Sequence, residues 1–281
     1  HRVDQDSIIG LRTRYLFLAL PTILAISLLG CRWIDCSSIF PTEENIESRL
    51  KRVGLNLTHK LEFGDIGYNW DPSTIIAEPN WLTGIPAAAF KQAIKSRKRS
   101  HDNWMIAQSS GTTGTPKFMN IGNNEVILRL EHALPFSIAE RPISAILFPP
   151  LSLVWTLYTI ATLYRGGKIV LFSKPIDLSE LNVNFVTGSP FHFQELLSEK
   201  VWPKELLNTA SVTGGRLSKS LIDALEERFH NIVQRYGSSE SGIIAHGPLM
   251  RRANDSISIG PLLPNAEIKI LDINTRESVS Y

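Results

Sequence analysis

Short apolar runs alternate with longer stretches of helical periodicity along most of the chain. Residues 21–30 read as a helix opened by Pro21 and closed by Gly30, and 33–40 as a short strand that stops at Pro41. Ile46, Leu50 and Val53 recur at helical spacing before Gly54, a favourable C-terminal residue. Residues 55–102 are punctuated by Gly64, Gly67, Pro72, Pro79 and Pro86, and there only a helix over about 85–96 is predicted. From residue 104 the alternation becomes regular. Strands are expected at 104–107, 143–148, 168–172, 185–188, 210–213 and 232–236. Helices are expected at 124–134, at 151–164 up to Gly166-Gly167, through 195–197, and at 218–229 with Leu221, Leu225 and Phe229 on one stripe. Repeated strand–helix alternation predicts an α/β fold of mainly parallel sheets flanked by helices in layers.

Composition narrows the class without deciding the chemistry. The 281 residues suit one large α/β unit or two ordinary domains, and 43% hydrophobic with 20% charged residues fits a globular protein. A formal charge of +2 gives no sign of a nucleic-acid partner. The basic run Lys91 to Arg99 reads as a solvated helix end, with docking of an acidic partner or nucleotide tail as the minor alternative. Cys31 and Cys36 lack a second Cys or His pair at metal-ligand spacing and read as reduced residues of a cytoplasmic protein. The most hydrophobic stretch, 16–30, is too short to span a bilayer and contains Pro21, so no membrane partner is expected.

The chemistry concentrates in Ser109-Ser110-Gly111-Thr112-Thr113-Gly114-Thr115-Pro116-Lys117. Glycines let backbone N–H groups approach a ligand closely, hydroxyls add rotatable donors, and Lys117 adds a compact cation. A flexible Ser/Thr/Gly linker has a similar composition. The apolar run just before and the rigid Pro116-Lys117 ending favour a phosphate-holding loop instead. It is not a Walker loop: only two residues separate Gly111 from Gly114, and proline precedes the lysine. A second concentration is Gln234-Arg235-Tyr236-Gly237-Ser238-Ser239-Glu240-Ser241-Gly242, where Tyr236 offers a flat face for a base and Glu240 a hard oxygen ligand suited to Mg²⁺. Alone, such a turn is also an ordinary structural feature.

Together these two segments resemble the Ser/Thr-Gly-Thr-Thr-Gly-x-Pro-Lys and Tyr-Gly-x-Thr-Glu signatures of the adenylate-forming superfamily. Its members include AMP-forming acyl- and aryl-CoA synthetases and the adenylation domains of peptide synthetases. The resemblance is firm over 104–272 and weaker over 14–54. It implies a portion of an N-terminal subdomain over 1–103, shortened, and a nucleotide-binding subdomain over 104–281. Nothing after Asp272 matches the small C-terminal lid domain, with its lysine, that the family carries. It further implies that ATP is bound by Ser109, Ser110, Gly111, Thr112, Thr113, Gly114 and Lys117. Gly214, Gly215 and Arg216 would lie against one face of adenine, Tyr236 would stack on it, and Gln234 and Gly237 would stand close by. Ser239 would contact the α-phosphate or acyl oxygen, Glu240 would hold Mg²⁺, and Lys117, Ser239 and Glu240 would form the catalytic set. Val212 to Ser218 reads equally as a strand-to-helix turn capped by Ser218.

The reaction implied is activation of a small-molecule carboxylic acid as an acyl-adenylate, then transfer to CoA or to a phosphopantetheine thiol of an acyl or aryl carrier protein. The acyl pocket would be lined by Trp155, Thr187, Gly188, Phe191 and His192, with His192 equally readable as a solvent-facing residue at a helix start. Amino-acid-activating relatives carry an aspartate near the start of the first pocket segment. Pro149 to Trp155 has no acid, which favours a hydrophobic acid, aromatic or aliphatic. Phe118-Met119-Asn120 departs from the glycine-led continuation of the family. The chain as written is expected to bind nucleotide but turn over poorly. A non-catalytic nucleotide- or adenylate-binding module of the same fold is the alternative from a different class. A nicotinamide or flavin protein is disfavoured because no Gly-x-Gly-x-x-Gly follows an early strand.

Overall fold

Two six-stranded sheets carry the chain in the computed structural model, which describes residues 3, 6–13, 16–37, 46–63, 75–77, 104–109, 117–133, 141–172, 174–251, 256–264 and 266–279. By packing, the chain separates into two compact units. One comprises residues 1–135 with 148–161, the other residues 136–147 with 162–281. The expected boundary at 103/104 follows motif content, whereas these units follow packing.

In the first unit the strands are β1 (Ile8–Thr13), β2 (Arg32–Asp35), β3 (His59–Phe63), β4 (Ile75–Ala77), β5 (Met105–Gln108) and β6 (Phe118–Ile121), in the order β4-β3-β1-β2-β5-β6. Every pairing is parallel except β5 with β6. Parallel pairs need crossovers, supplied here by helices α1 (Leu16–Leu28) and α2 (Ile46–Arg52) among the described residues. The core on one side gathers Ile8, Ile34, Leu50 and Ile106. Trp33 meets Trp104 edge-on at 5.7 Å. Helix α3 (Asn123–Ala133) follows β6.

The second unit's strands are β7 (Ile143–Ile146), β8 (Lys168–Ile169), β9 (Phe185–Gly188), β10 (Leu207–Val212), β11 (Phe229–Ser238) and β12 (Gly242–Pro248), in the order β12-β11-β10-β9-β7-β8. Again a single pairing, β11 with β12, is antiparallel. Helix α4 (Leu153–Tyr164) contains the division between the units, and α5 (Pro175–Glu180), α6 (Pro190–Leu197) and α7 (Lys219–Glu226) belong to the second. Val186, Ala210 and Ile232 on the sheet pack with Phe193, Leu196, Leu221 and Leu225 from α6 and α7.

Several sequence expectations shift in detail. Helix α1 starts at Leu16, so Pro21 lies inside it rather than at its head. Burial of Leu18, Ala19, Ile23 and Ile26 outweighs the lost backbone donor. Helix α7 ends at Glu226, and Phe229 opens β11 while still packing into the same core. The expected strand at 168–172 is only Lys168–Ile169. The expected helix at 85–96, and residues 38–40 of the expected early strand, lie outside the described residues. The ends of α1, α2 and α4 share one device, a glycine in the left-handed region (φ +74° at Gly30, +75° at Gly54, +70° at Gly166). At α4, Gly167 N donates to Thr162 O (2.9 Å) and Gly166 N to Leu163 O (2.9 Å), which satisfies the last carbonyls. Among the described residues no helix is long and apolar enough to cross a membrane.

Candidate functional site

The Ser109–Lys117 segment is the connection of the β5–β6 pair. Gln108 lies opposite Phe118 in antiparallel register, and Ser109 N donates to Lys117 O at 2.9 Å, so both ends of the loop are pinned to each other. The residues expected to hold phosphate between them, Ser110, Gly111, Thr112, Thr113 and Gly114, lie outside the described residues. Ser109 is 6% exposed and its Oγ has no hydrogen-bond partner, whereas Lys117 is exposed. A buried hydroxyl left open beside a glycine loop is a donor that an anion could use. Gln108 adds a brace that sequence inspection missed. Its Nε2 donates to Asp35 O at 3.2 Å, which ties the end of β5 to the end of β2.

Asp35 itself is buried, and its Oδ1 accepts from Ser37 N at 2.7 Å. Burial pushes its carboxyl up to about 6, against the lowering effect of the Ser37 hydrogen bonds. The folded state therefore holds a proton that the unfolded chain has released between about pH 4 and pH 6, so stability falls as pH rises through that window and is flat above it. The size is about 2–3 kcal/mol. We expect Asp35→Asn, which keeps an acceptor for Ser37 N, to abolish this slope and to stabilise the protein at pH 7. Urea midpoints measured between pH 4 and pH 8 check it. Equal slopes in both proteins would contradict the assignment.

In the second unit, the turns after β9, β10 and β11 leave the carboxyl ends of adjacent parallel strands, the edge where open α/β sheets bind ligands. The β9 and β10 turns touch: Thr213 N donates to Gly188 O (3.1 Å), and a Cβ on Gly215 would stand 3.2 Å from Pro190 Cγ. Gly214 has φ +85°. Gly214, Gly215 and Arg216 are exposed on this turn. The β11 turn is Ser239–Ser241, closed by β12. Ser238 N donates to Ser241 Oγ (3.2 Å), Ser241 N donates to Ser238 Oγ (3.1 Å), and a bulge falls between Tyr236 and Gly237. This serine clasp also escaped the sequence reading, although the Ser238–Ser241 spacing carries it. It presents Glu240 on an exposed turn, Ser239 half-buried beside it, and Tyr236 48% exposed. Gln234 is partly buried two residues earlier, and its Oε1 has no hydrogen-bond partner.

The expected acyl-pocket residues divide between the units. Trp155 is buried in α4 within the first unit. In the second, Thr187 is fully buried and donates its hydroxyl to Ser211 O at 3.2 Å. A Cβ on Gly188 would sit 2.8 Å from Leu147 Cδ1 and 3.3 Å from His192 Cβ, so this position accepts only glycine without local movement. Phe191 is exposed, its ring edge-on to His192. His192 is half-buried, and Ser189 N donates to its Nδ1 at 3.2 Å, which leaves the ring proton on Nε2. Burial holds its basicity below the ordinary histidine value, with Glu195 opposing. The ring forms part of the α6 cap.

Among the described residues no cluster of three His, Cys, Asp or Glu side chains could hold a metal ion unaided. An exposed single carboxylate such as Glu240 still fits Mg²⁺, which is commonly held by one or two carboxylates together with substrate phosphates and water.

A sequence model for the family described as AMP-binding enzyme matches residues 43–280. The D-alanine--D-alanyl carrier protein ligase of Lactococcus lactis is 25% identical across 91% of this chain and 55% of its own length, so this chain spans about half of that relative. In solved structures, the four-domain nonribosomal peptide synthetase holo-AB3403, bound to AMP and glycine, superposes with a TM-score of 0.75 at 18% identity, over 99% of this chain and 21% of that one. The O-succinylbenzoate coenzyme A synthetase of Bacillus subtilis, in complex with ATP and magnesium, superposes with a TM-score of 0.70 at 16% identity, over 99% of this chain and 59% of that one.

Proposed function

Since the chain belongs to the AMP-binding enzyme family, we propose that it serves the ATP-dependent activation of a hydrophobic carboxylic acid, aromatic or aliphatic, as an acyl-adenylate for transfer to a thiol. One observation carries this reading: Lys117 and Glu240 each stand at the antiparallel turn that closes one edge of an otherwise parallel sheet. Each is thereby held beside a paired strand, Lys117 by the bond from Ser109 N to its carbonyl and Glu240 within the Ser238–Ser241 clasp.

In the proposed step an oxygen of the acid attacks the α-phosphorus of ATP. The bond from that phosphorus to the bridging oxygen breaks, and pyrophosphate leaves with the electron pair. Catalysis of this kind is positioning and charge neutralisation, with no protein nucleophile. Lys117 and the Ser109 hydroxyl would steady the β- and γ-phosphates. Tyr236 would stack on adenine, Gly214 and Gly215 would approach its other face, and Ser239 would contact the α-phosphate. Glu240 would hold Mg²⁺, which when bound supplies positive charge to the phosphates.

A hydrophobic acid is favoured by the stretch Pro149 to Trp155, where no carboxylate is available to pair with an α-amino group. An amino acid loaded on a carrier protein is the competing reading, favoured by the similarity to the D-alanine--D-alanyl carrier protein ligase. Non-hydrolysable acyl-sulfamoyl adenosines separate the two without requiring turnover. Benzoyl and hexanoyl analogues are expected to bind at least about tenfold tighter than glycyl and D-alanyl analogues, a difference of about 1.4 kcal/mol. The reverse order would replace the hydrophobic acid with an amino acid.

A further inference from the structure

A cavity of about 370 Å³ opens in the second unit beside the start of α7, within the size range of small-molecule sites. Arg216 and Lys219 stand at it, on either side of Leu217 and Ser218. Both are exposed, and neither has a carboxylate within ion-pair distance among the described residues. The third cation, Arg251, is committed elsewhere: its Nη2 lies 2.5 Å from Asp223 Oδ1 and 2.6 Å from Glu226 Oε2. Those contacts engage the two carboxylates of α7, Asp223 and Glu226, and hold Arg251 as a wall. Leu217 and Ile222 are buried and, with Ile257, give the cavity an apolar floor. The walls are braced, since Ser218 Oγ accepts from Leu221 N (3.2 Å) and Arg251 bridges Ile257 in antiparallel fashion.

Two cations without carboxylate partners at the rim of a braced, apolar-floored cavity suit a ligand with a compact anion and a hydrophobic body. We propose that this cavity is a second ligand site that binds an organic phosphate monoester, its phosphate between Arg216 and Lys219 and its body on Leu217, Ile222 and Ile257. All seven residues that line the cavity belong to the second unit, and the inference stands whether or not the adenylation reading does. It assigns Arg216 to the cavity rather than to the adenine face expected from the sequence.

The test uses phenyl phosphate and inorganic phosphate as probes, titrated into ¹⁵N-labelled protein with amide shifts as the readout. Phenyl phosphate is expected to shift the amides of Leu217, Ser218, Lys219 and Ile257 saturably. Its Kd should be roughly tenfold lower than that of inorganic phosphate, because the ring covers the apolar floor. The double variant R216A/K219A, altered only at exposed positions, should keep its thermal transition and lose at least tenfold in affinity. The swap R216K/K219R should retain binding, and Lys117→Ala should leave it unchanged. Affinity untouched by R216A/K219A, equal affinity for the two probes, or loss of binding in Lys117→Ala would each overturn the site.

Discussion

Gly237→Ala is expected to abolish nucleotide binding and to destabilise the second unit. A Cβ at residue 237 would lie 2.0 Å from Gly242 O and 2.9 Å from Ile243 Cα. Both are backbone atoms of the paired strand, so no side chain can swing aside. The β11–β12 pair must open at its bulge, which breaks the Ser238–Ser241 clasp and displaces Tyr236, Ser239 and Glu240 together. Overpacking of this kind costs about 3 kcal/mol. Gly54→Ala is the matched control: it has φ +75° but nothing within 4 Å of the new Cβ, so only left-handed strain of about 1–2 kcal/mol is expected. Urea denaturation gives the stabilities, and Mg·ATP titration of the folded fraction gives the binding. Equal behaviour of the two variants would contradict the tight-turn account.

Phe193→Ala is expected to carry the largest purely structural loss, about 3–5 kcal/mol. Phe193 is fully buried in α6 and meets Phe229 edge-on at 6.0 Å, and it joins helix and sheet in one core. Its chain neighbour two residues earlier provides the contrast. Phe191 is 62% exposed, so Phe191→Ala should change stability by less than about 1 kcal/mol. If Phe191 lines the acyl pocket as the family resemblance implies, its loss should instead weaken hydrophobic acyl-sulfamoyl analogues. Comparable destabilisation by both substitutions would mean that α6 faces the core differently.

What the sequence made legible was punctuation. Gly30, Gly54 and Gly166 mark helix ends because only a left-handed residue can close them in that way, and β9 stands where its apolar run predicts. Strands β1, β3, β4, β6 and β12 were not anticipated. In β3 the buried positions include Lys60, which pairs with Glu47, and Glu62, so the strand does not read as apolar. In β12 the glycines at 242 and 247 look like turn residues, yet they permit close approach: a Cβ on Gly247 would lie 2.9 Å from Pro261 Cδ. Tertiary partners supply what local preference does not. The same holds at the site. The candidate motifs were visible because a loop proposed to handle phosphate is expected to gather glycine, hydroxyl and lysine in a short span. That both motifs join the strands of antiparallel edge pairs was not visible, since β6 and β12 carry no strong strand pattern of their own. The braces Gln108–Asp35 and Ser238–Ser241 belong to this hidden part, because each depends on a register that only the folded sheet sets.

The proposed function requires that Lys117 and Glu240 each contribute to Mg·ATP binding, and isothermal titration of the folded protein with Mg·ATP tests it most directly. Saturable binding is predicted, weakened at least tenfold by Lys117→Ala and by Glu240→Ala, in keeping with the loss of one charge-assisted contact each. Binding that is absent from the folded protein, or that survives both substitutions unchanged, would contradict it.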